Sequence, residues 1–206
     1  MFGVGLPIEF GEYWISRKFD SMKPSSLEIT ANREAQKWSR KELLGRLVWE
    51  CSRFILFSVS PRQFWGWRRL ILRLFGAKIG ADVRIAPSVK IAIPWNLRIG
   101  DETAVGDCAI LYSLGVITLG QRVTISQNAH LCAGSHDFDS TKMELTKPPV
   151  TIDDDVWVCA DAFIGPGVIL SRRSIAGARA VVTRDVPSDV IVAGNPAREI
   201  KKRNLG

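Results

Sequence analysis

Residues 152–182 read IDDDVWVCADAFIGPGVILSRRSIAGARAVV, and one aliphatic residue recurs in them at every sixth position: Ile152, Val158, Ile164, Leu170, Ala176 and Val182. The residue that follows is small at most of these steps, as at Cys159, Gly165, Ser171 and Gly177. A fixed internal period is sought before single helices or strands, because it governs the whole architecture. A step of six fits neither the 3.6-residue helix nor the alternation of a strand. It fits a chain that turns a corner every six residues. One aliphatic side chain per side points inward and stacks on its copies in neighbouring coils, and the small residue leaves room at the corner.

The same step runs backwards through the chain. Ile93, Ile99, Val105, Leu111 and Ile117 keep it, as do Leu119, Ile125 and Leu131, and before them Ile79, Ile85 and Ile91. Shifts of two residues, at Ile91/Ile93 and Ile117/Leu119, mark small corner bulges. The period fails between Leu131 and Ile152, so residues 132–149 are expected to leave the coil as an excursion loop. The fold class expected is an all-β solenoid over 76–187, with a turn and a short basic helix or tail over 188–206.

The N-terminal part is organised differently. Residues 1–38 show no period and are expected to form an extended arm anchored by Phe10, Tyr13, Trp14 and Phe19. Residues 39–75 are expected to form a helical cap. Ser39 and Glu42 have the spacing of a capping box, and Leu43, Leu47 and Phe54 suggest one apolar face. Ser60-Pro61 resembles an N-cap with proline at the first helical position. Phe64, Trp67, Ile71, Leu74 and Phe75 recur at helical spacing among Arg62, Arg68, Arg69 and Arg73. Such helices suit two tasks: covering the open end of the solenoid, or lying on a membrane surface. Pro94-Trp95 is expected to protrude at a corner.

Composition narrows the function. The chain has 206 residues, 46% hydrophobic and 24% charged, with a net charge of +7. No run approaches the ~18 uncharged apolar residues of a membrane span, and no basic start leads into an apolar core as in a secretory signal. The four cysteines, Cys51, Cys108, Cys132 and Cys159, lack metal or redox spacing and suit a reducing, cytoplasmic location. The positive charge can serve an anionic membrane or a phosphorylated ligand. No nucleic-acid motif accompanies it, so nucleic acid is not an expected partner.

There are two histidines, His130 and His136. His130 precedes the inward Leu131 and so should point out from the coil wall. His136 sits in Gly134-Ser135-His136-Asp137, at the mouth of the excursion loop, among small residues that let a ligand approach. It is the candidate general base, since imidazole titrates near neutrality. Two histidines are too few for the three-histidine zinc site of a β-helical carbonic anhydrase, and no metal is expected.

The hexads resemble those of the hexapeptide acyltransferases, which form a left-handed parallel β-helix and assemble as homotrimers. A narrower resemblance lies in five stretches. These are Leu74–Gly80, Pro94-Trp95, Ile125-Ser126-Gln127, Leu131–Asp137 and Gly194-Asn195-Pro196-Ala197. Over roughly residues 60–200 they are similar to the colanic acid biosynthesis O-acetyltransferases, a branch allied to the galactoside, maltose and nodulation acetyltransferases. The resemblance implies transfer of acetyl from acetyl-CoA to a sugar or glycan hydroxyl, at sites between subunits of a homotrimer. The location implied is cytoplasmic, at the inner face of the membrane. His136 becomes the catalytic base, oriented by Asp137 or by a backbone carbonyl.

By the same resemblance Trp157, Ala160, Ala178, Thr183, Arg184 and Arg198 contact the coenzyme. Ala160 stands where the family commonly has serine, which leaves only a backbone contact. The acceptor side departs from the pattern: a family asparagine aligns near Gly106 and an acidic residue near Leu114. Asp107, Tyr112 and Ser113 are the candidate acceptor lining. Two other readings stand beside this one: N-acetylation of an amino sugar, and a β-helix without activity that serves as an interaction protein.

Overall fold

The inward hexad residues form three columns in the computed structural model, which describes residues 28–204. Three parallel sheets make the three faces of a solenoid. On the first face Ile79, Ile99, Leu119, Ile152 and Leu170 lie in register. On the second, Ile85, Val105, Ile125, Val158, Ala176 and Val192 do. On the third, Ile91, Leu111, Leu131, Ile164 and Val182 do. All are buried, and each Ile, Leu or Val side chain so placed contributes about 1.5–3 kcal/mol. A second buried column stands four residues after the first, as in Val83, Thr103, Val123 and Val156. The six-residue step therefore carries two inward positions where the sequence signal named one.

The corners explain the small residues. Glu102, Arg122, Asp155, Asn128 and Asp161 have φ between 54° and 61°, the left-handed conformation needed to turn within two residues. Just before, the backbones of successive coils nearly touch. A Cβ on Gly100 would lie 2.6 Å from the carbonyl carbon of Gly120. Gly100→Ala should therefore cost about 1–3 kcal/mol through overpacking, seen as a lower midpoint in urea unfolding.

Coil ends pose the problem of unpaired backbone. At the strands the N–H groups donate to the next coil, as Gly80 N does to Ile99 O at 2.8 Å, while corner N–H groups donate back. The first coil's carbonyls at and beside the strands are left over, and side chains of the helical cap take them. Arg73 donates to Ile79 O (2.8 Å), Arg68 to Ile85 O (2.6 Å), Arg69 to Val83 O (3.1 Å), and the Trp49 indole to Ile91 O (2.8 Å). The cap thus closes the solenoid end by hydrogen bonding as well as by packing. At the other end Val190–Ala193, on the second face, pairs antiparallel with Arg198–Lys202. The basic tail expected as a short C-terminal helix is thus a strand, because the last coil's free edge offers it main-chain partners.

Helix α1 spans Ile29–Glu34, α2 Arg40–Ser52 and α3 Trp65–Leu74. α1 falls in the segment expected to be extended; the rest of that expectation, over 1–27, lies outside the described residues. The Ser39–Glu42 capping box is present at the start of α2. Residues Arg53–Phe57 continue α2 as a π-helical turn. Ser60-Pro61 does not cap α3, since the Ser60 hydroxyl bonds Phe57 O and Arg68 instead. The faces also differ from the expectation. Trp49 and Phe57 are buried while Leu43, Leu47 and Phe54 are exposed; Arg68, Ile71 and Leu72 are buried while Phe64, Trp67 and Leu74 are exposed. Apolar residues occupy both sides of these helices, and the coil carbonyls select the side that carries donors. Trp95 does not protrude. A Cβ on Gly45 of α2 would lie 3.1 Å from its ring, and one on Gly76 3.1 Å from its Cβ.

Candidate active site

The loop expelled at the third edge, between the third and first faces, is a hairpin: Ser135–His136 pairs antiparallel with Leu145–Thr146. His136 is exposed. Its Nδ1 lies 2.7 Å from the Met143 carbonyl. A carbonyl only accepts, so Nδ1 carries a proton, and in the neutral ring the lone pair is on Nε2. Met143 has φ +47°, a conformation uncommon for a residue with a Cβ, and it turns the carbonyl toward the imidazole. Asp137 does not orient the ring: its carboxylate accepts from Asp139 N at 3.1 Å and its N–H donates to Glu144 O at 2.9 Å.

The segment before α2 braces this hairpin. The Asn32 side chain donates to the carbonyls of Lys142 and Met143, and Glu28 N donates to Thr141 O at 2.9 Å. Asn32, Arg33, His136, Lys142 and Met143 line a cavity of about 210 Å³. Trp38 is held between two cations, Arg46 of α2 at 4.5 Å and Lys147 of the hairpin base at 3.7 Å.

His130 is the other titratable ring. It stands edge-on between Tyr112 (6.3 Å) and Phe163 (5.3 Å), and its buried Nε2 has no partner. Burial lowers its pKa from 6.5, which favours the neutral ring in the fold. The unfolded chain binds the extra proton first as pH falls. Stability should therefore be fully present above about pH 6.5 and decline below it, a dependence that His130→Phe should flatten in melts recorded from pH 7 to 5.

The remaining candidates fall into two groups. At the second edge, between the second and third faces, corners stack in register. Asn128 N donates to Asp107 O (2.9 Å), Asp161 N to Gln127 O (3.1 Å) and Arg179 N to Ala160 O (2.9 Å). Ala160 and Ala178 lie on this edge. Trp157 stands beside it on the second face, 45% exposed, its indole donating to Ser126 at 2.9 Å. Arg198 is on the terminal strand of the same sheet. His136, Asp137, Thr183 and Arg184 are at the third edge. The width of the third face separates the two groups within one chain.

The second edge also borders a groove of about 610 Å³, floored by Gly106, Ser126 and Gln127 and walled by Arg62, Trp65 and Arg84. Arg62 pairs with Asp107 at 2.8 Å, and its hydrogen bond, with that of Ser88, holds the Asp107 carboxyl below the usual range. Tyr112 is outside the groove, under the loop mouth, where a Cβ on Gly134 would come within 3.0 Å of its ring. Ser113 does not line a ligand surface: it is fully buried, and its hydroxyl bonds both N and O of Ile93 at 2.9 Å. The sequence reading missed Asn32, Met143 and Trp65, and assigned Arg62 only to the cap. Asn32 and Arg62 have partners tens of residues away, and no local pattern marks Met143 or Trp65. Among the described residues no cluster of three His, Cys, Asp or Glu side chains is placed to hold a metal ion.

No family model matches the chain. It is 43% identical over 156 residues to the colanic acid biosynthesis acetyltransferase WcaF of Escherichia coli (strain K12), covering 76% of this chain and 86% of that protein. It is 29% identical over 168 residues to the galactoside O-acetyltransferase of the same organism, 80% of each chain. Among solved structures, the hexapeptide-repeat acetyltransferase VCA0836 of Vibrio cholerae, complexed with acetyl coenzyme A, superposes with a TM-score of 0.74 at 25% identity, over 82% of this chain and 93% of that one. Galactoside acetyltransferase in complex with coenzyme A has a TM-score of 0.75, over 85% and 89% of the two chains. The chain therefore belongs to the hexapeptide-repeat acetyltransferases, in the branch that contains the colanic acid biosynthesis enzyme.

Proposed function

We propose that the protein moves acetyl from acetyl-CoA to a sugar hydroxyl in the assembly of an exopolysaccharide or related glycan, with His136 as general base. The observation that carries this reading is the His136–Met143 hydrogen bond, which leaves Nε2 of the neutral ring as the proton acceptor. Nε2 takes the hydroxyl proton as the acceptor oxygen forms its bond to the thioester carbon. The C–S bond then breaks, and the proton passes from His136 to the departing thiolate. No covalent intermediate on the protein is needed.

The developing oxyanion needs a main-chain donor, and the corner at Ala160 is suited to supply it. Cys159 N and Asp161 N are spent on Ala176 O and Gln127 O, while among the described residues the N–H of Ala160 has no partner. Ala178, Thr183, Arg184 and Arg198 are the coenzyme contacts in this reading, and Trp157 flanks them. The acceptor occupies the groove of Arg62, Trp65 and Asp107. An indole face suits the C–H face of a sugar, and the ion pair suits its hydroxyls.

The separation of the two groups favours a homotrimer in which the second edge of one protomer meets the His136 hairpin of the next. The glycan role rests on likeness to the colanic acid enzyme, and the location that goes with it is the cytoplasm, at the inner face of the membrane. Calorimetric titration with acetyl-CoA, alongside mass in solution, tests the reading. Saturable binding by a particle of three 22.9 kDa chains is expected. A folded protein that does not bind acetyl-CoA would overturn it.

A further inference from the structure

The helical cap presents an apolar surface that nothing in the described chain covers. On α2, Leu43, Leu44, Leu47 and Val48 form one stripe, with Leu47 63% exposed. The π-helical turn adds Phe54 (71% exposed) and Ile55. On α3, Trp67, Leu70 and Leu74 recur at steps of three and four, and Leu74 is 76% exposed. The Trp67 indole donates to Leu56 O at 2.9 Å, which sets the α3 stripe beside the π-helical turn that continues α2. A contiguous apolar face of this kind marks an interaction site.

Charge decides what covers it. Residues 39–75 contain eight Lys and Arg against two Glu, and of the eight Arg62 is paired outside the segment, with Asp107. Arg68, Arg69 and Arg73 donate to first-coil carbonyls and have no carboxylate partner among the described residues; Arg68 is buried there, whereas Arg73 is exposed at the rim of the cap. Arg40 and Lys41 are exposed at the first turn of α2, just before Leu43. A second copy of the same face would oppose like charges across a two-fold contact. An anionic bilayer would accept both features, apolar side chains at the acyl boundary and cations at the headgroups. No helix among the described residues is long and apolar enough to cross a membrane, so the mode is interfacial.

We propose that α2, the π-helical turn and α3 form a docking face for an anionic lipid surface, which places the groove of Arg62 and Trp65 beside an acceptor sugar carried by a membrane lipid. The carrier assignment rests on the acetyl-transfer reading; the docking face does not. It is tested with the whole protein by flotation on vesicles of phosphatidylcholine alone and with one third phosphatidylglycerol. Binding to the mixed vesicles should be on the order of tenfold tighter or more. The Leu47→Asp/Phe54→Ser double variant should lose that binding while keeping its melting temperature and acetyl-CoA affinity. Failure to float, or equal flotation of the variant, overturns the docking face. So does a fall in solution mass of the variant, which would make the face a contact between copies. Vesicle binding without acetyl-CoA binding would instead overturn the acetyl-transfer reading alone.

Discussion

His136→Ala should lower turnover by about 10²–10⁴-fold, the range that a positioned general base contributes. The ring is exposed and makes one hydrogen bond, to Met143 O, so its removal leaves no cavity in the coil. Acetyl-CoA affinity, mass in solution and melting temperature should stay near those of the parent. Steady-state transfer to a sugar acceptor, with calorimetry on the same preparations, separates the effects. Full activity in the variant would sink the assignment of His136. Loss of acetyl-CoA binding would mean that the hairpin holds the coenzyme rather than the proton.

The largest effect on stability should come from Trp49→Ala, about 3–5 kcal/mol for removal of a buried aromatic. Trp49 is fully buried, and its ring centre lies 6.0 Å from Phe57 and 5.1 Å from Phe75. Its indole also carries the bond to Ile91 O at 2.8 Å. Trp49→Phe keeps much of the packing and frees that carbonyl, so it should cost less, about 1–3 kcal/mol. In a solenoid each coil is held mainly by its neighbours. Hydrogen exchange should therefore show α2 and the first coil losing protection while the coils around Ile152 and Ile164 keep theirs. Uniform loss throughout would mean that the cap and the coils unfold as one unit.

The coil was legible because its cause is local. A corner every six residues demands a small residue at a fixed phase, as at Gly100 and Gly120, and an inward aliphatic just before it. That requirement repeats often enough to be read without any knowledge of neighbours. His136 was legible for a related reason: the failure of a strong period marks an expelled segment, and the segment holds one of only two imidazoles.

The helical cap shows the limit. Its residues are apolar on several sides, so periodicity did not choose between Leu47 and Trp49, or between Leu74 and Leu72. The unpaired carbonyls of Ile79, Ile85 and Ile91 chose, by drawing Arg73, Arg68 and Trp49 to them, and those carbonyls exist as a row only once the coil is built. The same holds for the C-terminal strand, whose partner edge is the last coil. It holds again for Met143 O and Asn32 at His136, and for the Arg62–Asp107 pair at the groove. Inward positions and corners were thus written in the order of residues, since each depends on neighbours a few places away. Donor–acceptor pairing between different elements was settled by the folded coil, since a hydrogen bond depends on where atoms meet in space.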